Sequence, residues 1–111
     1  MKIIKLADNI YYSIIYWWQR RTRGFDSREV WNLDSAIIRF TLPRLKHFRK
    51  VIGTHPSDIS FKQWQNRLDK MIKAMEIWEN TEGFPYDKGT MEKEWKQGMA
   101  LFHKYFFALW D

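Results

Sequence analysis

Apolar residues in the second half of the chain recur with the period of one helix face. Phe61, Trp64, Leu68, Met71, Met75 and Trp78 follow at gaps of 3, 4, 3, 4 and 3. Ser60 stands three residues before Gln63, the spacing of a reciprocal capping box. A helix over 60–80 is therefore predicted, roughly 30 Å long. A second seam, Met91, Trp95, Gly98, Phe102, Tyr105 and Leu109, steps at 4, 3, 4, 3 and 4 and is widened by Met99, Phe106 and Trp110. Thr90 is placed to cap this helix, over 90–110. Gly98 inside it costs about 1 kcal/mol relative to Ala, which close approach of a neighbouring backbone would compensate. Phe84-Pro85-Tyr86-Asp87-Lys88-Gly89 reads as the loop joining two long antiparallel helices.

The first half is less regular. Asp26 and Glu29 form another capping-box pattern ahead of Val30, Trp31 and Leu33, and Ile37, Phe40, Leu45, Phe48 and Ile52 continue a core face. Pro43 lies within this stretch of 25–53 and removes a helical donor, so a kink or break is expected near Leu42. Gly53 suits the C′ position, and Gly53 to Asp58 is a turn-rich linker. Residues 8–20 fit a helix, although Ile10 to Tyr16 is also good strand material. No second strand exists to pair with it, so helix is the reading. The expected fold is all-α: a compact bundle of about four helices in a single domain, 1–111, with a Pro-kinked second helix and the two C-terminal helices antiparallel.

Composition sharpens this picture in three ways. With 111 residues the chain is long enough for one real core, and without cysteine it has no disulfides, thiolate metal sites or cysteine nucleophile. The 7 Trp, 5 Tyr and 8 Phe are 18% of the chain. Burying all of them would remove about 3,000–5,000 Å² from water, against the ~13,000 Å² a fold of this mass buries. Either the core is unusually aromatic or some rings meet a partner. The net charge is +6, which suggests an anionic partner. It is lopsided: residues 1–53 hold 11 Lys and Arg against 4 Asp and Glu, +7, whereas 54–111 hold 8 against 9, −1.

Few reactive groups are arranged for chemistry. The glycines are scattered, so no phosphate loop is present. His47, His55 and His103 are not spaced with carboxylates as metal ligands are. Glu76 and Glu79 share a helix face, but the acids fall between the apolar core positions. The expectation is no catalytic residue, no metal and no cofactor. The apolar run Ile10 to Trp18 is too short to span a membrane. Basic residues follow that run, where a signal peptide would have them before it, so a cytoplasmic protein without membrane attachment is expected.

The positive signal is basic and aromatic. Arg20, Arg21 and Arg23 come directly after Trp17 and Trp18, with Tyr12 upstream. Arg39, Arg44, Lys46, Arg49 and Lys50 occupy a stretch, 35–53, with no acid at all. Guanidinium forks match phosphate and aromatic faces stack on bases. Arg20, Arg21, Arg23, Arg39, Arg44, Lys46 and Arg49, with Trp17, Trp18 and Tyr12, are therefore the candidate ligand-binding residues. The alternative is a solvated basic face whose aromatic neighbours are core.

Several segments are distinctive together: Arg23 to Asp34, Leu42-Pro43-Arg44-Leu45-Lys46, Leu68-Asp69-Lys70-Met71-Ile72 and Leu101 to Asp111. Over residues 20–111 the chain resembles a widespread family of small proteins of tailed bacteriophages. It also looks like the phage anti-CBASS sponge proteins. That resemblance implies a non-enzymatic, homo-oligomeric protein of the host cytoplasm that sequesters cyclic di- or trinucleotide signals to counter host immunity. Two other functions fit the residues: a protein-interaction inhibitor of a host enzyme, for which Trp, Tyr and Arg are the usual anchors, and a general nucleic-acid-binding protein.

Overall fold

The computed structural model describes residues 2–83 and 90–110, with side chains for 5–83 and 91–110. The described chain is all-helical: α1 (Lys2–Arg23), α2 (Ser27–Trp31), α3 (Leu33–Val51), α4 (Phe61–Asn80), α5 (Thr90–Lys104) and a short 3-10 helix, Phe106–Ala108. No strand occurs among the described residues. The chain groups into two compact units, 1–36 and 37–111, whose boundary falls within α3.

Unit 37–111 holds the hydrophobic core. α4 starts as its sequence requires: the Ser60 side chain accepts from the Gln63 N–H, and Gln63 Oε1 accepts from the Ser60 N–H at 2.9 Å. Trp64, Leu68, Met71 and Met75 then bury one face completely. Ile38, Leu42, Leu45 and Ile52 complete the core with Tyr105. Trp78 and Trp95 pack with ring centroids 4.7 Å apart, and Trp64 meets Tyr105 edge-on at 5.4 Å. Between these pairs a Cβ on Gly98 would collide with the Ala74 Cβ and the Lys70 carbonyl oxygen. The backbones are therefore in the close approach that a glycine there permits.

Three local expectations need revision. The buried stripe of α3 is Ile38, Leu42 and Leu45, whereas Ile37 and Phe40 point to solvent: Ile37 is 52% exposed and Ile38 4%. Both registers offer apolar residues at helical spacing, and burial in the core shared with α4 and Tyr105 chose the one that includes Leu42. The break allowed for near Leu42 does not occur: α3 runs from Leu33 to Val51 as one helix with Pro43 inside it, although Pro43 supplies no N–H to the ladder. Last, α5 ends at Lys104, and the chain tightens through a turn at Tyr105 into the 3-10 helix. The loop expected at Phe84 to Gly89 lies outside the described residues, as does the side chain of Thr90.

Unit 1–36 is built differently. The Asp26–Glu29 capping box forms, but it opens only the five residues of α2, and Asn32 separates these from α3. Gly24, at φ 85°, takes the left-handed conformation that ends α1. Among the described residues of this unit the only buried one is Asp26, at 2% exposure. No apolar side chain of 5–36 is buried.

Candidate functional site

Three arginines of the first unit, Arg20, Arg23 and Arg28, meet at the turn between α1 and α2. Asp26 is its hub. Its carboxylate accepts from Arg20 Nη1 at 2.7 Å and Arg28 Nη2 at 2.9 Å while capping the Arg28 N–H at 2.9 Å. Glu29 answers by accepting the Asp26 N–H, and Gln19 Oε1 accepts the Ser27 N–H at 2.8 Å, joining α1 to α2. The Arg28 hydrogen bonds, then those of Arg20, hold the Asp26 carboxyl well below the usual carboxylate range against the opposing effect of burial. The same contact pushes the Arg28 guanidinium up. Arg28 also lies over the Tyr16 ring at 4.2 Å, and Tyr16 meets Trp31 edge-on. Arg23 donates to the Phe25 carbonyl and to Ser27 Oγ, each at 3.1 Å, and covers the Phe25 ring.

Arg20 and Arg23 are therefore brought together, with Arg28 beside them, by bonds that order all three side chains. Arg21 is turned away and lies against Trp17 at 5.6 Å. Trp17, Trp18 and Tyr12 are exposed, but at about 100° per residue they leave α1 in three directions. They cannot stack on one base together. Tyr12 instead stacks on Tyr16 at 6.0 Å.

The remaining candidates sit on α3, in unit 37–111. Arg49 pairs with Asp69 of α4 at 2.9 Å. Arg44 donates to the Phe40 carbonyl at 2.8 Å and stacks on the Phe40 ring at 3.8 Å. Arg39 and Lys46, seven residues apart, share one exposed face of α3, while Arg44 lies on another. Of these cations, Arg20 and Arg49 each have an acid partner within their own unit. Arg28, which sequence reasoning misses, is signalled only by its position inside the Asp26–Glu29 capping box.

Two clefts in unit 37–111 were also illegible in the sequence. One of about 330 Å³ is lined by Phe40, Arg44, Phe48, Phe102, Phe106 and Leu109. The other, about 540 Å³, lies between the 54–58 loop and the C-terminal aromatics Phe107 and Trp110. Among the described residues no group of three or more metal-ligating side chains occurs, and no helix is long and apolar enough to cross a membrane.

α1 itself presents an uncovered apolar face. At about 100° per residue, Leu6, Trp17, Ile10, Ile14, Trp18 and Tyr11 fall, in that order, within an arc of about 140°. All six are exposed. A shallow groove runs along this face between Asn9, Ile10, Ser13, Ile14 and Trp17. Compared with known proteins, the chain matches no family model, no curated protein and no solved structure.

Proposed function

We propose that this chain is a non-enzymatic interaction protein whose docking element is the apolar face of α1. The observation that carries this reading is the arrangement of unit 1–36, where a 22-residue helix turns six large apolar side chains outward while the only buried residue among the described ones is a carboxylate. Helices in water owe most of their stability to packing of an apolar face, and exposed contiguous apolar surface of this extent marks a binding site. Trp, Tyr and Arg are the residue types that anchor interfaces. Unit 37–111 serves in this reading as the scaffold. The pairings of Trp78 with Trp95, Ala74 with Gly98 and Trp64 with Tyr105 advance in opposite senses along the two helices. They support an antiparallel α4–α5 hairpin, and Pro43, which supplies no N–H to the helical ladder, supports a kink in α3.

The experiment is capture by tagged chain in cells that also make an untagged copy, after nuclease treatment. Wild type is expected to retain a specific protein, and Ile14→Glu is expected to lose it, while Lys46→Glu on α3 retains it. Retention by Ile14→Glu equal to wild type would overturn the reading.

One observation favours a second reading, sequestration of an anionic nucleotide of the kind the phage resemblance implies. Arg20 and Arg28 are ordered in advance by Asp26, and Arg23 by Phe25 and Ser27, and an arginine fork already held in place loses little freedom on meeting a phosphate. Calorimetry with a panel of cyclic di- and trinucleotides tests it. Heat that disappears in Arg23→Ala supports it, and no heat with any of them removes it.

A further inference from the structure

The apolar face of α1 is its own best complement, and we infer that its occupant is a second copy of this chain, paired antiparallel through α1. The inference rests on the docking role given to α1 above.

Area is the first argument. Leu6, Ile10, Tyr11, Ile14, Trp17 and Trp18 are between 53 and 62% exposed. At roughly 200 Å² for side chains of this size they leave on the order of 700 Å² uncovered, close to the ~800 Å² per partner of a stable interface. The helix is about 33 Å long, enough to carry such a contact without help from the rest of the chain.

Pattern is the second. The face is symmetric about residue 12. With a two-fold axis there, Ile10 of one copy faces Ile14 of the other, Leu6 faces Trp18, and the small Ala7 faces the large Trp17. Large residues thus meet medium or small ones along the whole contact, as close packing requires, and each pairing is made twice, as a two-fold interface demands. The groove beside Ser13, flanked by Ile10, Ile14 and Trp17, gives a facing side chain a place to enter.

Charge decides the direction. The last turn of α1 holds Arg20, Arg21 and Arg23, and Asp8 is the only acid of the helix. A parallel pair would set two clusters of three arginines side by side. An antiparallel pair separates them by most of the helix length, well beyond the ~8 Å over which charges interact at physiological salt, and sets each cluster beside Lys2 and Lys5 of the other copy, three cations against two instead of three against three.

The test is the mass of the purified full chain by light scattering from about 1 to 200 µM. The expected mass is twice 13.7 kDa, falling to 13.7 kDa in Ile14→Glu with a dissociation constant raised at least 100-fold. Amide hydrogen-exchange protection of α4 and α5 should be unchanged in that variant, so that loss of the dimer is not loss of the scaffold. Because the chain has no cysteine, a single Leu6→Cys variant reads direction: an antiparallel pair keeps the two thiols apart and forms no disulfide on oxidation. A wild-type monomer across the whole range overturns the inference, as does a dimer indifferent to Ile14→Glu or ready cross-linking of Leu6→Cys. A monomer destabilised by Ile14→Glu also overturns it, by showing the face covered within one chain. If wild type is monomeric yet captures a different protein that Ile14→Glu loses, α1 remains the docking element and only the second copy is ruled out. If Ile14→Glu alters neither mass nor capture, both fall.

Discussion

Replacing Gly98 by Ala sets two effects of known sign against each other. In an exposed helix interior, glycine to alanine stabilises by about 1 kcal/mol because alanine loses less backbone entropy. Gly98, however, is buried against α4, and its new Cβ would overlap the Ala74 Cβ and the Lys70 carbonyl oxygen. Ordinary contact lies near 3.5–4.0 Å, and a backbone carbonyl in mid-helix cannot swing aside as a side chain tip can. Relief needs the two helices to separate by about 1 Å, loosening the Trp78–Trp95 and Trp64–Tyr105 contacts on either side. Overpacking of this kind costs about 1–3 kcal/mol and occasionally more. A net destabilisation of about 2 kcal/mol is expected, the steric cost at or above the upper end of that range less the propensity gain. Urea unfolding followed by circular dichroism at 222 nm measures it as a lowered midpoint at constant slope. Gly53→Ala is the control: its Cβ would meet nothing within 4 Å and its φ is not positive. It should be neutral or stabilising by up to about 1 kcal/mol. Adding Ala74→Gly should rescue Gly98→Ala only in part, since the Lys70 carbonyl remains. A Gly98→Ala protein as stable as wild type would refute the close backbone approach and the packing built on it.

Three more outcomes follow from particular contacts. Ile38→Ala should cost about 2–5 kcal/mol as a buried truncation, and Ile37→Ala under about 1 kcal/mol because that side chain is mostly in water; equal losses in thermal unfolding would return the core stripe to the other register. Asp26→Asn should selectively raise amide hydrogen exchange at the start of α2. Because Arg28 and Arg20 lower the folded-state pKa of Asp26 below its unfolded value near 3.9, its stabilising effect is complete above about pH 4. It is lost as pH falls through the folded value, so the wild-type and Asp26→Asn exchange rates should converge on acidification; a gap that widens toward low pH would contradict the sign. Arg49→Ala should cost less than about 1 kcal/mol, since the pair with Asp69 is exposed, and a denaturation midpoint lowered by more than that would show the pair to be buried in solution.

What the sequence determined by itself is what its neighbours along the chain decide. The α4 start at Ser60 and Gln63, the α2 start at Asp26 and Glu29, and the seam from Trp64 to Met75 all depend on residues three or four apart, which a helix brings together whatever surrounds it. Gly98 could even be read as a place of close packing, because a glycine in a strong helical seam costs stability that only a neighbour repays. Tertiary structure decided the rest. Ile37 and Ile38 are equally apolar neighbours, and only the core that Ile38 joins chose between them. The arginines were visible as a cluster, but their partners were not: Arg49 meets Asp69 across 20 residues of sequence, and Arg20 meets Asp26 around a turn. Amphipathy likewise showed that α1 has an apolar side without showing whether anything covers it. Periodicity records which way side chains point, and burial depends on what stands opposite.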